Sequence, residues 1–275
     1  MFKKILITFI TSILLFSCED TELIEGRDDN LAIGNPSDAG VNENNYLMEK
    51  APYALSYNRS KGTANWVAWH LSKGWKGNAV KADNFKSDES LPSGWYRVKT
   101  SDYVGSGFDR GHLCPSADRD GSTQDNEATF LMTNIVPQSP NSNRDTWVAL
   151  ETYCRKMVDA GNELYIVVGV LGQGGSGSNG GTTKTLADGK VVVPESLWKV
   201  IVVLPVGEND IDRIDSDTRV IAIKIPNRQS IKSDWGEYRL SVDELEALTG
   251  YDFLSNVSNT LQKQLEGKAD KGPTY

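Results

Sequence analysis

The residues of this chain best suited to chemistry lie between Phe108 and Glu151. Phe108-Asp109-Arg110-Gly111-His112-Leu113-Cys114-Pro115 comes first, and Thr133-Asn134-Ile135-Val136-Pro137-Gln138 follows. Asn143-Arg144-Asp145-Thr146-Trp147 and then Val148-Ala149-Leu150-Glu151 close the stretch. The whole chain has only 2 histidines, which excludes a His-rich zinc site. One His, one Asn and several carboxylates still suit a hard cation held through oxygen, and Mg²⁺ needs few protein ligands because it keeps several waters. A neutral imidazole beside a cation-bound phosphate can take a proton from water near neutral pH. Arg110 could stabilise phosphate charge or fix the loop. The set suits phosphodiester hydrolysis, with a cation at the leaving oxygen and His112 activating water. The spacing alone leaves a bland alternative open, a capped amphipathic helix beside a satisfied loop histidine.

The elements that must position these groups are legible from periodicity. Trp147, Leu150, Cys154, Met157 and Val158 recur at helical steps and predict a helix over 143–160, with Ser142 or Asn143 as cap and Gly161 as stop. On it Asn143 and Glu151 point to roughly the same side. Residues 65–71, 164–171, 198–204 and 219–225 are apolar, β-branched or aromatic runs, read as strands covered on both faces. Ser241 with Glu244 makes a capping box before Leu245, Gly250 ends that helix, and 256–265 forms a last short one. Gly172–Gly181 lacks the GK[ST] ending of a phosphate loop and reads as a mobile surface loop. The fold class is α+β, with a mostly antiparallel central sheet flanked by helices. His70 ends a strand and reads as a packed residue. The tryptophans read as core.

Residues 1–17 read as a signal peptide: a basic start, an apolar stretch too short for a membrane span, and Ser17-Cys18 at its end. Leu15-Phe16-Ser17-Cys18 resembles a lipobox, with Cys18 as the lipidation site. The expectation is an exported chain, an outer-membrane or surface lipoprotein or else a periplasmic or secreted protein. Residues 18–45 are polar and read as a flexible tether, and the domain is expected over 46–275. Losing Lys3 and Lys4 with the leader takes the net charge from -8 to -10, an objection to a nucleic-acid binder. The objection stands, though net charge is not local charge and a small basic cleft can sit on an acidic body. Cys114 lies two residues after His112 and Cys154 three after Glu151, so a disulfide stapling loop to helix and a pair of free buried thiols both stand.

Asp109-Arg110-Gly111-His112 resembles the signature of the DNA/RNA non-specific endonuclease family, the Serratia-nuclease type. The likeness continues through TNIVPQ, NRDTW and LE, and takes in NWVAW, PESLWKV and LTGYDF, spanning about residues 53–265. It implies the ββα-metal nuclease fold, with the motif on a strand-loop and the metal ligand on the adjacent helix. By this likeness His112 is the general base and Asn143 the direct ligand of a catalytic Mg²⁺, for which Mn²⁺ or another divalent cation could stand. Glu151 holds cation-bound waters, Arg110 lies at the site, Asp109 supports it, and Asn134 belongs to it in a less definite role. Products would carry 5′-phosphate and 3′-hydroxyl ends. The segment 81–88 lacks an Arg that family members often carry, and Lys81 is the candidate substitute, a point charge rather than a fork. Arg119 and Arg144 are further candidates for contacting phosphate.

The reading is a Mg²⁺-dependent endonuclease hydrolysing DNA and RNA without strong sequence preference, because phosphate and cation contacts carry no base information. Two rivals remain. One is a catalytically weak or inactive surface lipoprotein binding nucleic acid or protein through the same fold. The other is a phosphodiesterase of small nucleotides. A deep closed pocket would favour the latter, an open groove polymer cleavage. No protein partner is deducible, and membrane contact is expected only through Cys18.

Overall fold

The computed structural model describes residues 26–275. The signal peptide, Cys18 and the first part of the expected tether lie outside the described residues. No helix among the described residues is long and apolar enough to cross a membrane.

The chain opens with β1 (Val41–Asn42), β2 (Asn45–Lys50), β3 (Tyr53–Asn58) and β4 (Thr63–Leu71). Then come β5 (Asp109–His112), α1 (Thr123–Ala128), β6 (Ile135–Gln138) and α2 (Val148–Asp159). β7 (Asn162–Leu171), β8 (Thr185–Leu186), β9 (Val191–Val192) and β10 (Ser196–Pro205) follow. α3 (Asp210–Arg213), β11 (Arg219–Pro226), β12 (Arg239–Leu240), α4 (Val242–Thr249) and α5 (Asn259–Leu265) complete it. Eight strands form one antiparallel sheet in the order β1-β2-β3-β4-β7-β10-β11-β12, while β5 and β6 pair separately. The expected α+β class and antiparallel sheet are what the chain adopts.

Period-two alternation divides the sheet's side chains between two cores. Val67, Trp69, Leu164, Ile166, Leu197 and Ile201 face α2, where Trp147, Leu150, Cys154, Met157 and Val158 meet them. Each such burial contributes roughly 1.5–3 kcal/mol, so the helix that carries the candidate site is locked to the sheet. Trp66, Ala68, Tyr165, Val167, Trp198 and Val200 face the other way, against Val242 and Leu245 of α4 and Leu265 of α5. Both faces are covered, which is why the strands read as unbroken apolar runs. α4 forms as its sequence predicts: Ser241 Oγ accepts from Glu244 N at 3.1 Å, and Gly250 stops the helix at φ 73°.

Residues 26–45 correct the tether expectation. Ile33 is 1% exposed and belongs to the second core, Arg27 pairs with Asp125 at 3.0 Å, and β1 already lies in this stretch. Averaged composition hides this, because a few apolar residues in a polar stretch suffice to seat it. The helical run before α2 also starts earlier than expected. It begins at Pro140, so neither Ser142 nor Asn143 caps it, and Ser139 O accepts from Asn143 N at 2.8 Å. A proline fits a first helical position because its missing N–H has no partner there. The Gly172–Gly181 loop is tied down: Ser176 N donates to Asn227 O, and Ser178 N to Gly107 O at 2.8 Å. A Cβ on Gly177 would come within 2.5 Å of Gly107 O, so this crossing requires glycine.

Candidate active site

β5 carries Asp109, Arg110, Gly111 and His112, held in register by β6 with Asp109 opposite Gln138 and His112 opposite Ile135. A Cβ on Gly111 would lie 2.3 Å from Gln138 Oε1, so the motif glycine lets the two strands close. Beyond His112 the chain turns inward, and Asn134 fixes that turn. Its Oδ1 accepts from Cys114 N, and its Nδ2 donates to Cys114 O and Thr129 O, all within 2.8–2.9 Å. Asn134 is fully buried and its amide is spent on backbone groups, so it positions the motif and does not reach substrate.

His112 lies between two aromatic rings, 5.4 Å from Phe85 and 4.8 Å from Phe130 by ring centroids. Burial drives its pKa down to about 3, and Lys81 and Arg110 push the same way. The imidazole is therefore neutral at pH 7, the state a base requires. Its Nε2 is buried without a hydrogen-bond partner among the described residues. The Arg110 guanidinium lies 4.3 Å over the Phe85 ring, and Lys81 Nζ lies 5.9 Å from the Phe130 ring. Both cations are exposed, so a local positive patch borders His112 on an acidic body. A cavity of about 190 Å³ beside the motif is lined by Tyr103, Phe108, Asp109 and Arg110 among others.

Asp109 joins the strand to the helix. Its Oδ2 accepts from Asn143 Nδ2 at 2.9 Å, and its two oxygens accept from Arg144 Nε and an Arg144 terminal nitrogen at 2.8 and 2.6 Å. Committing Nδ2 to Asp109 turns the Asn143 Oδ1 away from it, free to accept or to ligate. Residues 142–147 form a π-helical turn before α2. In a regular α-helix Asn143 and Glu151 would stand about 80° apart in azimuth. A π turn takes more residues per revolution and narrows that angle, a distortion frequent at functional sites.

Glu151 is buried at 8% exposure, and burial raises its pKa to about 7 despite the opposing charge of Lys199. Lys199, 1% exposed on β10, places its ammonium 4.3 Å from the Trp147 ring and 5.7 Å from Trp69. Asp118 pairs with Arg155 at 3.0 Å and accepts from Trp69 Nε1 at 3.1 Å. Sequence reasoning passed over Lys199, Phe85 and Phe130. The available signal for Lys199 was one cation inside the apolar run WKVIVVL.

One expectation fails. Arg119 is no phosphate contact: it is fully buried, donates to Pro52 O, Asp118 O and His70 O, and lies 4.1 Å over the Trp75 ring. Its position near the motif serves the fold. Of the two readings left open for Cys114 and Cys154, the structure has free thiols. Both sit in the core between sheet and α2, where burial pushes each thiol up to about 12. His70 is packed, as expected, on the sheet face opposite α2, 4.8 Å from Tyr165 by ring centroids.

Asp109, Asn143 and Arg144 thus meet at one junction of strand and helix; His112 and Arg110 share β5 with Asp109, and Glu151 lies further along α2, near Lys199. The chain is similar to known proteins along most of its length. Residues 34–260 match the family model described as DNA/RNA non-specific endonuclease. A nuclease of Nostoc sp. is 54% identical over 253 residues, covering 91% of this chain and 89% of that one. A nuclease of Serratia marcescens is 29% identical over 262 residues, covering 93% and 91%. Among solved structures, a chain of the EndoG/EndoGI complex superposes with TM-score 0.70 at 25% identity, covering 87% of this chain and 96% of that one. This chain belongs to the DNA/RNA non-specific endonuclease family and is a nuclease.

Proposed function

We propose that the enzyme is a divalent-cation-dependent endonuclease that hydrolyses phosphodiester bonds of both DNA and RNA. The observation that carries this is the Asp109 junction, which ties the Asn143 carboxamide on the helix to β5, the strand that also carries the neutral His112. The donor set suits a hard cation: Asn143 presents Oδ1 because Nδ2 is occupied, and the Glu151 carboxylate can hold waters around it. Mg²⁺, or Mn²⁺ in its place, would supply positive charge at the scissile phosphate and the leaving oxygen.

The side chains divide the remaining work. His112 takes a proton from the attacking water, since at neutral pH the imidazole is unprotonated and can accept one. Arg110, Lys81 and Arg144 draw the phosphate backbone to the site through charge alone. Backbone contacts position a nucleic acid without reading its bases, which accounts for loose specificity. Exposed cations bordering the motif favour a polymer over a small nucleotide. The binding-module alternative is not favoured, because the chain matches the nuclease family over residues 34–260 and is 54% identical to a nuclease. We place the enzyme outside the cytoplasm on residues 1–18 alone. The test is digestion of supercoiled plasmid and of structured RNA with Mg²⁺ and with EDTA. Cleavage of both polymers that chelation abolishes supports the reading; digestion of neither across cations and pH contradicts it.

A further inference from the structure

Remote from the motif, α4 and α5 bring together three carboxylates. Asp243 and Glu246 lie three residues apart on α4 and therefore on one face of it. Glu266, which follows α5, is drawn to them by a backbone bond from Asp243 N to Glu266 O at 3.1 Å. Each of the three offers an oxygen, and these oxygens lie within 4.8 Å of one another. None of the ion pairs among the described residues involves any of them. Helix capping does not explain them either, because Ser241 and Glu244 cap α4.

Glu266 is the telling member. It is only 5% exposed, and its Oε1 is buried with no hydrogen-bond partner among the described residues. A buried carboxylate without a partner facing two like charges is costly unless something positive lies between them. Glu246 has one oxygen committed to Phe253 N at 2.9 Å, which fixes its carboxylate in place. Asp243 is exposed and leaves an approach from solvent. An all-oxygen set of carboxylates, open to solvent at Asp243, suits Ca²⁺ better than a soft or small cation.

We propose that Asp243, Glu246 and Glu266 form a structural Ca²⁺ site, separate from the catalytic centre, that clasps the end of α5 to the first turns of α4. Bound Ca²⁺ turns three mutual repulsions into attractions and secures the second core, to which Leu245 and Leu265 belong. The site stands whatever the active centre binds.

The experiment is calorimetric titration of cation-free, full-length protein with Ca²⁺, paired with thermal melts. Wild type should bind Ca²⁺ and melt higher with it, reversibly with EDTA. Asp243→Asn and Glu266→Gln should each weaken that binding at least about tenfold. Asp243→Asn should keep wild-type nuclease activity in Mg²⁺. Any Ca²⁺ taken up at the active centre is common to all three proteins, so the difference between them reports this site. Superimposable Ca²⁺ titrations of wild type and Asp243→Asn would overturn the proposal. So would a Glu266→Gln protein that is more stable without cation yet binds Ca²⁺ as wild type does, since that means the carboxyls share a proton instead. Asp243 is exposed, so its variant remains decisive even if Glu266→Gln folds poorly.

Discussion

Asp109→Asn separates the candidate site from the scaffold that carries it. Asp109 receives three hydrogen bonds, one from Asn143 and two from Arg144. The Arg144 side chain is 71% exposed, so that ion pair contributes only about 0–1 kcal/mol to stability. The bond from Asn143 is part-buried and charge-assisted, worth about 1.5–3 kcal/mol, and the variant retains one oxygen to accept. A net loss of about 1–2 kcal/mol follows, lowering the melting temperature by roughly 2–8 °C for a domain of this size. Activity should suffer more. The new amide must turn its own NH₂ toward either Arg144 or Asn143, and the Asn143 carboxamide loses its fixed orientation. Displacing the partner of a cation ligand costs about 10–100-fold in cation affinity or activity. Plasmid-nicking rates across a Mg²⁺ titration measure this, with the half-saturating Mg²⁺ concentration expected to rise. A folded variant with wild-type rate and wild-type Mg²⁺ dependence would refute the role given to Asp109.

Other predictions follow from burial and charge. Burial raises the Glu151 pKa from 4.5 to about 7, so the native state gains protons there and its stability falls as pH rises from about 4.5 through 7. Glu151→Gln should therefore melt higher than wild type at pH 8 without divalent cations, and about equally at pH 4, while cutting poorly; an unchanged melt at pH 8 would show that Glu151 carries no such penalty. The acid limb of wild-type cleavage should also move down as Mg²⁺ rises, because cation binding favours the carboxylate; a limb that stays fixed would contradict this. Arg119→Ala should lose about 3–5 kcal/mol, or roughly 6–20 °C of melting temperature, by stranding three carbonyls and an aromatic face. If it instead melts as wild type and raises KM for DNA, the buried role is wrong. Cys114 and Cys154 should both react with a thiol reagent after denaturation without reductant, and scarcely at all in the native state; no reaction at these positions would mean that they are bonded.

Much of this was legible because it rests on local pattern. The four long strand runs alternate over two faces, and the capping box at Ser241 and Glu244 formed as its spacing required. His112, Asn143 and Arg110 were singled out by residue type and motif. Other features depend on contacts that spacing does not encode. Nothing in a polar N-terminal stretch signals that Ile33 will find a place in the core. Arg119 is chemically a phosphate ligand, and only its burial against Trp75 shows otherwise. Cys114 and Cys154 share a core, but proximity does not make a bond, which needs a specific geometry. The π turn at 142–147 replaces the α geometry that periodicity assumes, just where Asn143 must be aimed.

The central claim is that His112 is the base of a cation-dependent cleavage. It is tested most directly by comparing wild type with His112→Ala on plasmid and RNA at saturating Mg²⁺, with melts of both proteins. The account predicts that His112→Ala stays folded and loses at least about 100-fold in rate on both polymers. A folded His112→Ala that cuts either polymer at the wild-type rate would contradict it.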